Sequence, residues 1–417
     1  MRKYGWLLVC LVTVCGGISG AAAFAASDVT EVSKMPGKGH FKDVPDHHWA
    51  SGAITIAAAK GYVSGYPDGG FRPNEKITRA EFIKMAAVAL QLEVKAPTGE
   101  EWYVPYVEAA GGAKLTGETK WSAREWNQPM TRFEMASTAA RAIGERTSDD
   151  GKWMYLAAKR GLITGKDQKG TLGVKDTTNR AQAVTIIERM LTVKSGGKLS
   201  ADKYAVSSAE LAWHGTNIFT IMPEIFTTPA SQYAGKTIEE LWRKDKMVID
   251  SVDGKYRGQL DALVAIDLED PHDPNLALLP DVRKLKWFNN DTSRNDLMVH
   301  KWRKSYILYY KGHEVYNKDT KMYAKEKYVP FLLRGFSSPD MEGYFNGVLN
   351  MPSGVYRERL GDIPAFIIPK KVGLQNGHLS IAIHTPAYSR SGYKSNELLT
   401  VEGPLSKPIL KEVSGTK

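Results

Sequence analysis

The sequence predicts an α+β multidomain protein, with an all-helical first half and a mostly β second half. Two observations lead there. Three segments of the first half repeat one pattern of apolar helix, glycine-ended turn, loop and second helix. Beyond about Asp202 that pattern stops, and aromatic and β-branched runs between turn residues replace it. At 417 residues, with 42% hydrophobic and 24% charged residues, the chain has room for two or three globular domains.

Residues 1–25 have the parts of an export signal: Arg2 and Lys3, an apolar run from Trp6 to Val14, and the small-residue end Ala23-Phe24-Ala25. That run is short for a bilayer span and no second one follows, so no membrane anchor is expected once the signal is removed. Both cysteines, Cys10 and Cys15, lie within it, which leaves no thiol for disulfides, metal ligation or nucleophilic attack. Val12-Thr13-Val14 lacks the small residue that precedes a lipidated cysteine. The expectation is a secreted protein stabilised by its core.

The repeats are read at 40–92, 101–145 and 150–193. Their turns are Val63-Ser64-Gly65, Leu115-Thr116-Gly117 and Ile163-Thr164-Gly165, and Arg79, Arg132 and Arg180 follow the turn glycines by 14, 15 and 15 residues. First helices are expected around residues 53–60, 104–110 and 153–160, with Gly61 and Gly161 in left-handed caps. Each second helix opens with a capping box: Thr78 with Glu81, Thr131 with Glu134, and Asn179 with Gln182. Apolar stripes such as Phe82, Met85, Ala86 and Ala89 follow at helical spacing.

In residues 202–417 strands are expected at 247–249, 263–266, 306–310, 366–368 and 379–383, with a helix around 238–246. The tryptophans there suit either core packing or glycan stacking. Asp267 to Asp273 concentrates oxygen ligands but matches no EF-hand loop, so no metal or cofactor is assigned. There is no Gly-x-Ser-x-Gly elbow, His-Glu-x-x-His or phosphate loop, and no catalytic residue is assigned.

Phe41-Lys42-Asp43-Val44-Pro45, Trp49, the run from Gly61 to Gly69, Phe71-Arg72-Pro73 and Ile77-Thr78-Arg79-Ala80-Glu81-Phe82 together resemble an S-layer homology repeat. The resemblance extends over residues 40–193 in three copies. It implies a pseudo-threefold module around a central helical bundle, whose grooves bind secondary cell-wall polysaccharide attached to peptidoglycan, often through a pyruvylated amino sugar. The four-residue signature on which family binding depends stands here as Thr78-Arg79-Ala80-Glu81, Thr131-Arg132-Phe133-Glu134 and Asn179-Arg180-Ala181-Gln182. The second and third copies depart from the family loop, which puts at least one groove in doubt.

The residue chemistry fits that partner. An arginine in the first helical turn sets a cation beside free N–H groups, a combination suited to a carboxylate. Gly65, Gly117 and Gly165 would let a sugar approach the backbone, and Trp49 and Trp102 would offer a ring face or serve as core anchors. Thr78, Glu81, Thr131 and Glu134 are accounted for as caps, whereas a cap does not require arginine. Asp43 either touches sugar or orients a neighbouring arginine. The formal charge of +10, densest in the first half, favours an anionic partner; the basic residues are scattered and match no nucleic-acid motif. The expected function is non-covalent anchoring at the cell wall; the alternative is a wall-anchored enzyme acting on glycans through its C-terminal half.

Overall fold

A computed structural model describes residues 40–403 apart from 97–98, 100, 118–120, 227–232, 234, 292, 338–339 and 375–376. The expected export signal and both cysteines lie outside the described residues. The chain combines helices with β-sheets, and its described residues fall into two compact units divided between Phe71 and Arg72.

In the first unit, helix α1 (Ser51–Ala59) buries Ile54 and Ala57, and Gly61 beyond it takes φ 77°, open to glycine without strain. The loop that follows is closed from within. Asp43 accepts a hydrogen bond from the Phe71 N–H at 2.7 Å, and Phe41 packs on Phe71 with ring centroids 5.2 Å apart.

The second unit opens with α2 (Arg79–Ala89), α3 (Val104–Gly112), α4 (Ala123–Trp126), α5 (Arg132–Ala142), α6 (Lys152–Lys159) and α7 (Arg180–Lys194). Each of α2, α5 and α7 starts at a complete capping box, and each buries an alanine-rich stripe that permits close helix approach. Two further helices follow, α8 (Lys203–His214) and α9 (Ile218–Ile221). Asp202 caps α8 by accepting from the Tyr204 and Ala205 N–H groups, and Gly215 ends it at φ 74°.

The strands are β1 (Val248–Asp250), β2 (Tyr256–Asp267), β3 (Lys286–Trp287), β4 (Ser305–Asn317), β5 (Phe331–Arg334), β6 (Phe336–Ser337), β7 (Ser353–Tyr356), β8 (Ala365–Pro369), β9 (Gly373–Leu374), β10 (Gly377–His384) and β11 (Ser395–Gly403), with a short helix α10 (Met341–Phe345) between β6 and β7. They form a six-stranded sheet in the order β1-β2-β4-β8-β7-β3, a three-stranded sheet β11-β10-β5 and the pair β6-β9, all antiparallel. The spine is the β2–β4 ladder, with Leu263 opposite Tyr310 and Ile266 opposite Ile307.

Where residues 263–267 face 306–310, both faces of that ladder are largely buried, whereas Lys311, His313 and Val315 farther along β4 are exposed. Leu263, Ala265, Tyr306, Leu308 and Ile368 point into one apolar cluster, while Val264, Ile266, Ile307 and Ile367 point into another. This explains why these strands read as continuous apolar runs instead of alternating ones.

The helix expected around 238–246 is not formed. Two 3₁₀ turns, Ile238–Leu241 and Lys244–Lys246, stand there instead, separated by Trp242 in extended conformation. The buried Trp242 ring donates its indole N–H to His214 O at 2.9 Å, and this anchor breaks the helical path.

Candidate functional site

The three helix starts that carry the signature arginines are brought together by main-chain hydrogen bonds. Ile77 N–H donates to Thr178 O at 3.1 Å, Thr178 N–H to Met130 O at 2.9 Å, and Met130 N–H to Ile77 O at 2.9 Å, closing a ring of three. A second ring surrounds it: Arg79 N–H to Gln128 O, Arg132 N–H to Asp176 O and Arg180 N–H to Glu75 O, at 2.8–3.1 Å. The N–H groups at the first turns of α2, α5 and α7, which a helix leaves without intrahelical partners, are thus partly satisfied by the neighbouring segment.

The arginines differ in their surroundings. Arg79 donates to Glu134 Oε1 from Nε at 3.0 Å and from Nη2 at 2.7 Å, and to Glu125 O from Nη1 at 2.9 Å, while its guanidinium lies 4.8 Å from the centroid of Trp121. The other Glu134 oxygen accepts from Thr131 N–H at 2.8 Å. One carboxylate therefore closes the α5 cap and binds the arginine of the preceding segment, a double duty that a capping-box reading alone does not show.

Arg132 is buried. Its Nη2 donates to Thr164 O in the third turn, and its Nε is buried with no hydrogen-bond partner among the described residues. Burial, joined by repulsion from Arg189, holds its pKa below the ordinary arginine value against the pull of Asp176. The Arg180 segment, like the others, enters the outer ring through its N–H.

In the second unit, Thr78 and Glu81, Thr131 and Glu134, and Asn179 and Gln182 form the three caps. Two turn glycines are demanded by close neighbours: a Cβ on Gly65 would lie 2.5 Å from the Phe41 ring, and one on Gly165 would lie 2.5 Å from Gly170 Cα. Gly117 differs, since a Cβ there would meet only the tip of Arg141, at 3.3 Å. Asp43 holds Phe71 as described. Trp49 is 63% exposed and Trp102 44%, so neither is a core anchor. Lys84 Nζ sits 5.4 Å from the Trp102 ring. Trp121 and Trp153 lie within the repeats, but their pairing with Arg79 and Arg141 joins residues far apart in sequence and gave no signal by spacing.

Residues 40–83 match the family model of the S-layer homology domain. The chain carries an S-layer homology domain. It is similar to an amylopullulanase of Thermoanaerobacterium thermosulfurigenes, 30% identical over 204 residues covering 43% of this chain and 11% of that protein. It is also similar to the S-layer protein sap of Bacillus anthracis, 35% identical over 140 residues covering 31% of this chain and 16% of that one. An exoglucanase XynX of Acetivibrio thermocellus is 31% identical over 177 residues, 36% of this chain and 16% of the relative. The chain thus spans less than a fifth of the length of each of these relatives. The S-layer homology domain and the S-layer relatives associate the protein with the cell surface.

The half beyond Asp202 is built onto the third helical segment. Tyr155 OH and Lys159 Nζ of α6 donate to Glu239 Oε1 at 2.8 and 2.6 Å, Lys152 pairs with Glu240 at 2.6 Å, and Trp213 of α8 donates to Asp149 at 2.7 Å. Among the described residues there is no cluster of three or more His, Cys, Asp or Glu able to hold a metal. No helix among them is long and apolar enough to cross a membrane.

Proposed function

We propose that three S-layer homology repeats, at 40–92, 101–145 and 150–193, fasten this protein non-covalently to the cell wall by binding an anionic secondary polysaccharide attached to peptidoglycan. In this reading the protein is exported and residues 202–417 are displayed as a binding or structural domain. The closed hydrogen-bond ring carries the proposal, because it sets three arginine-bearing helix starts in a repeating arrangement that a lone motif would not produce. Arg132 is the strongest anion contact of the three, with a desolvated guanidinium whose Nε has no partner among the described residues. Arg79 serves first as the clamp on Glu134, and a ligand carboxylate would share it. Trp49 and Trp102 present exposed ring faces on which a pyranose can stack.

The test is sedimentation of the purified chain with wall sacculi before and after extraction of the attached polysaccharide. Binding lost on extraction supports the reading; binding that survives defeats it. Arg132→Gln should weaken binding at least tenfold. Arg79→Ala should weaken binding and also lower the unfolding midpoint, since it removes the Glu134 clamp.

A second reading, a wall-anchored enzyme acting on glycans, is favoured by two similar proteins whose names are those of glycan-cleaving enzymes. Sustained release of reducing sugar from wall glycans by the full chain would establish it. The full chain is required because a fragment starting at Asp202 would lose the partners of Glu239 and Glu240.

A further inference from the structure

Asp267 ends strand β2 and Lys370 follows the last residue of β8, with β4 between the two strands. The register is fixed: Asp267 stands opposite Tyr306, Tyr306 opposite Ile368, and the Lys370 N–H donates to Lys304 O at 3.0 Å. Residues 103 positions apart are thereby set across a single intervening strand, and Lys370 Nζ reaches both oxygens of Asp267 at 2.9 Å. No cysteine follows Cys15, so no disulfide can tie these strands together.

Both partners are largely withdrawn from water. The Asp267 side chain is 9% exposed and that of Lys370 23%, whereas the lysines of the Lys255–Asp319 and Lys166–Asp176 pairs are about half exposed. Lys370 Nζ lies 5.0 Å from the centroid of the buried Tyr306 ring, whose hydroxyl is held by Glu224. Two groups complete the arrangement. The Glu269 N–H donates to Asp267 Oδ1 at 3.0 Å, and the Glu269 carboxylate accepts from Lys370 Nζ at 2.9 Å. Asp273 accepts from the Asp267 N–H at 2.9 Å and steadies the backbone that carries the carboxylate. Lys203 also approaches Asp267, at 3.7 Å, but lies closer to Asp270, at 3.3 Å. An ion pair needs only a cation and an anion. Here an amine, the carboxyl it faces, a proton acceptor on the amine and a donor on the carboxyl oxygen stand together.

We propose that Lys370 and Asp267 condense without an added reagent into an amide that cross-links the sheet. Burial lowers the Lys370 pKa, but the bonds and charges of Asp267 and Glu269 outweigh it, so the resting amine is protonated. Glu269 takes one proton from Nζ, and the freed lone pair attacks Asp267 Cγ to form the N–C bond. The Glu269 N–H stabilises the negative charge that develops on Oδ1. The proton held by Glu269 and the second one shed by nitrogen leave with Oδ2 as water when that C–O bond breaks. An ammonium and a carboxylate thus become one amide and one water, and no co-reactant is required. Two effects favour the step: burial penalises the ion pair, and a nitrogen held against both oxygens stands within roughly 3.5 Å of the carbon between them, a near-attack separation.

Mass spectrometry of the purified full chain, denatured, reads the bond directly. Wild type should be lighter by one water than expected from a Lys370→Arg chain prepared alongside it, once the substitution itself is allowed for. Proteolysis should release a branched fragment that joins the segment around Asp267 to the one around Lys370. Glu269→Gln keeps a hydrogen-bonding side chain but cannot take the proton, and it should slow the loss of water or abolish it. A wild-type chain of full mass overturns the cross-link, as does a loss of water mapped elsewhere, to a succinimide or to Lys203. Because the wild-type mass and fragment decide, a variant that fails to fold does not shield the proposal. A Glu269→Gln chain that cross-links as fast as wild type overturns the role given to Glu269.

Discussion

Replacing Glu239 tests how the helical repeats hold the half that follows. Its carboxylate is buried and accepts from Tyr155 OH and Lys159 Nζ. Burial alone raises its pKa, but the hydrogen bond and charge of Lys159 outweigh this and bring it from 4.5 to about 2. A folded-state value below the unfolded one means stability that is fully present above pH 4.5 and is lost as pH falls through 2. The difference corresponds to about 3 kcal/mol. Glu239→Gln keeps an acceptor for Tyr155 and should cost about 2–3 kcal/mol at pH 7, trimmed because Lys159 is half exposed. Glu239→Ala also strands the Tyr155 hydroxyl and should cost about 3–5 kcal/mol. Urea unfolding followed by tryptophan fluorescence reads both, with Trp213 reporting locally from its place 5.0 Å from the Tyr155 ring. A Glu239→Gln penalty that is the same at pH 7 and pH 2 would refute the reasoning, as would an alanine variant within about 0.5 kcal/mol of wild type.

Other consequences are testable by the same means. Glu210 is fully buried and burial lifts its pKa to about 8, against the lowering by Thr220 and Phe219. Its folded form holds a proton that the unfolded chain releases near 4.5, so stability falls as pH rises from 4.5 to 8, and Glu210→Gln should flatten that slope. Gly170→Ala should destabilise severely, by more than about 3 kcal/mol, because φ is 75° and the new Cβ would lie 2.3 Å from the Tyr204 carbonyl carbon. A thermal melt that shifts by less than 3 °C would contradict this. Thr131→Ala removes the side-chain acceptor for Glu134 N–H, and calorimetry should show a loss of about 1 kcal/mol.

The helix starts were legible because a capping box is local: two residues three positions apart hold all its hydrogen bonds, so Thr78-Arg79-Ala80-Glu81 shows the turn it will make. The apolar runs from Leu263 and from Tyr306 were legible as strands for a similar reason, β-branched and aromatic density over a short stretch. What escaped was set by distant partners. Nothing near Arg79 announces Glu134, which lies 55 positions on, and nothing near Trp242 announces the His214 carbonyl that interrupts the expected helix. Helix α8 was not among the expected elements, although Asp202 and Gly215 mark its ends.

The ring of Ile77, Met130 and Thr178 has a consequence for how such chains can evolve. Each member gives one main-chain bond and receives one, so the set has no first or last unit and nowhere to add a fourth. An open solenoid grows or shrinks by whole units and needs only a polar end. Here, losing any one segment would leave a donor and an acceptor without partners at the centre. The ring itself is closed by main-chain groups, with the Thr178 hydroxyl adding a bond to Met130 O, so the number three is set by backbone closure while the cap residue beside each member varies between Thr78, Thr131 and Asn179.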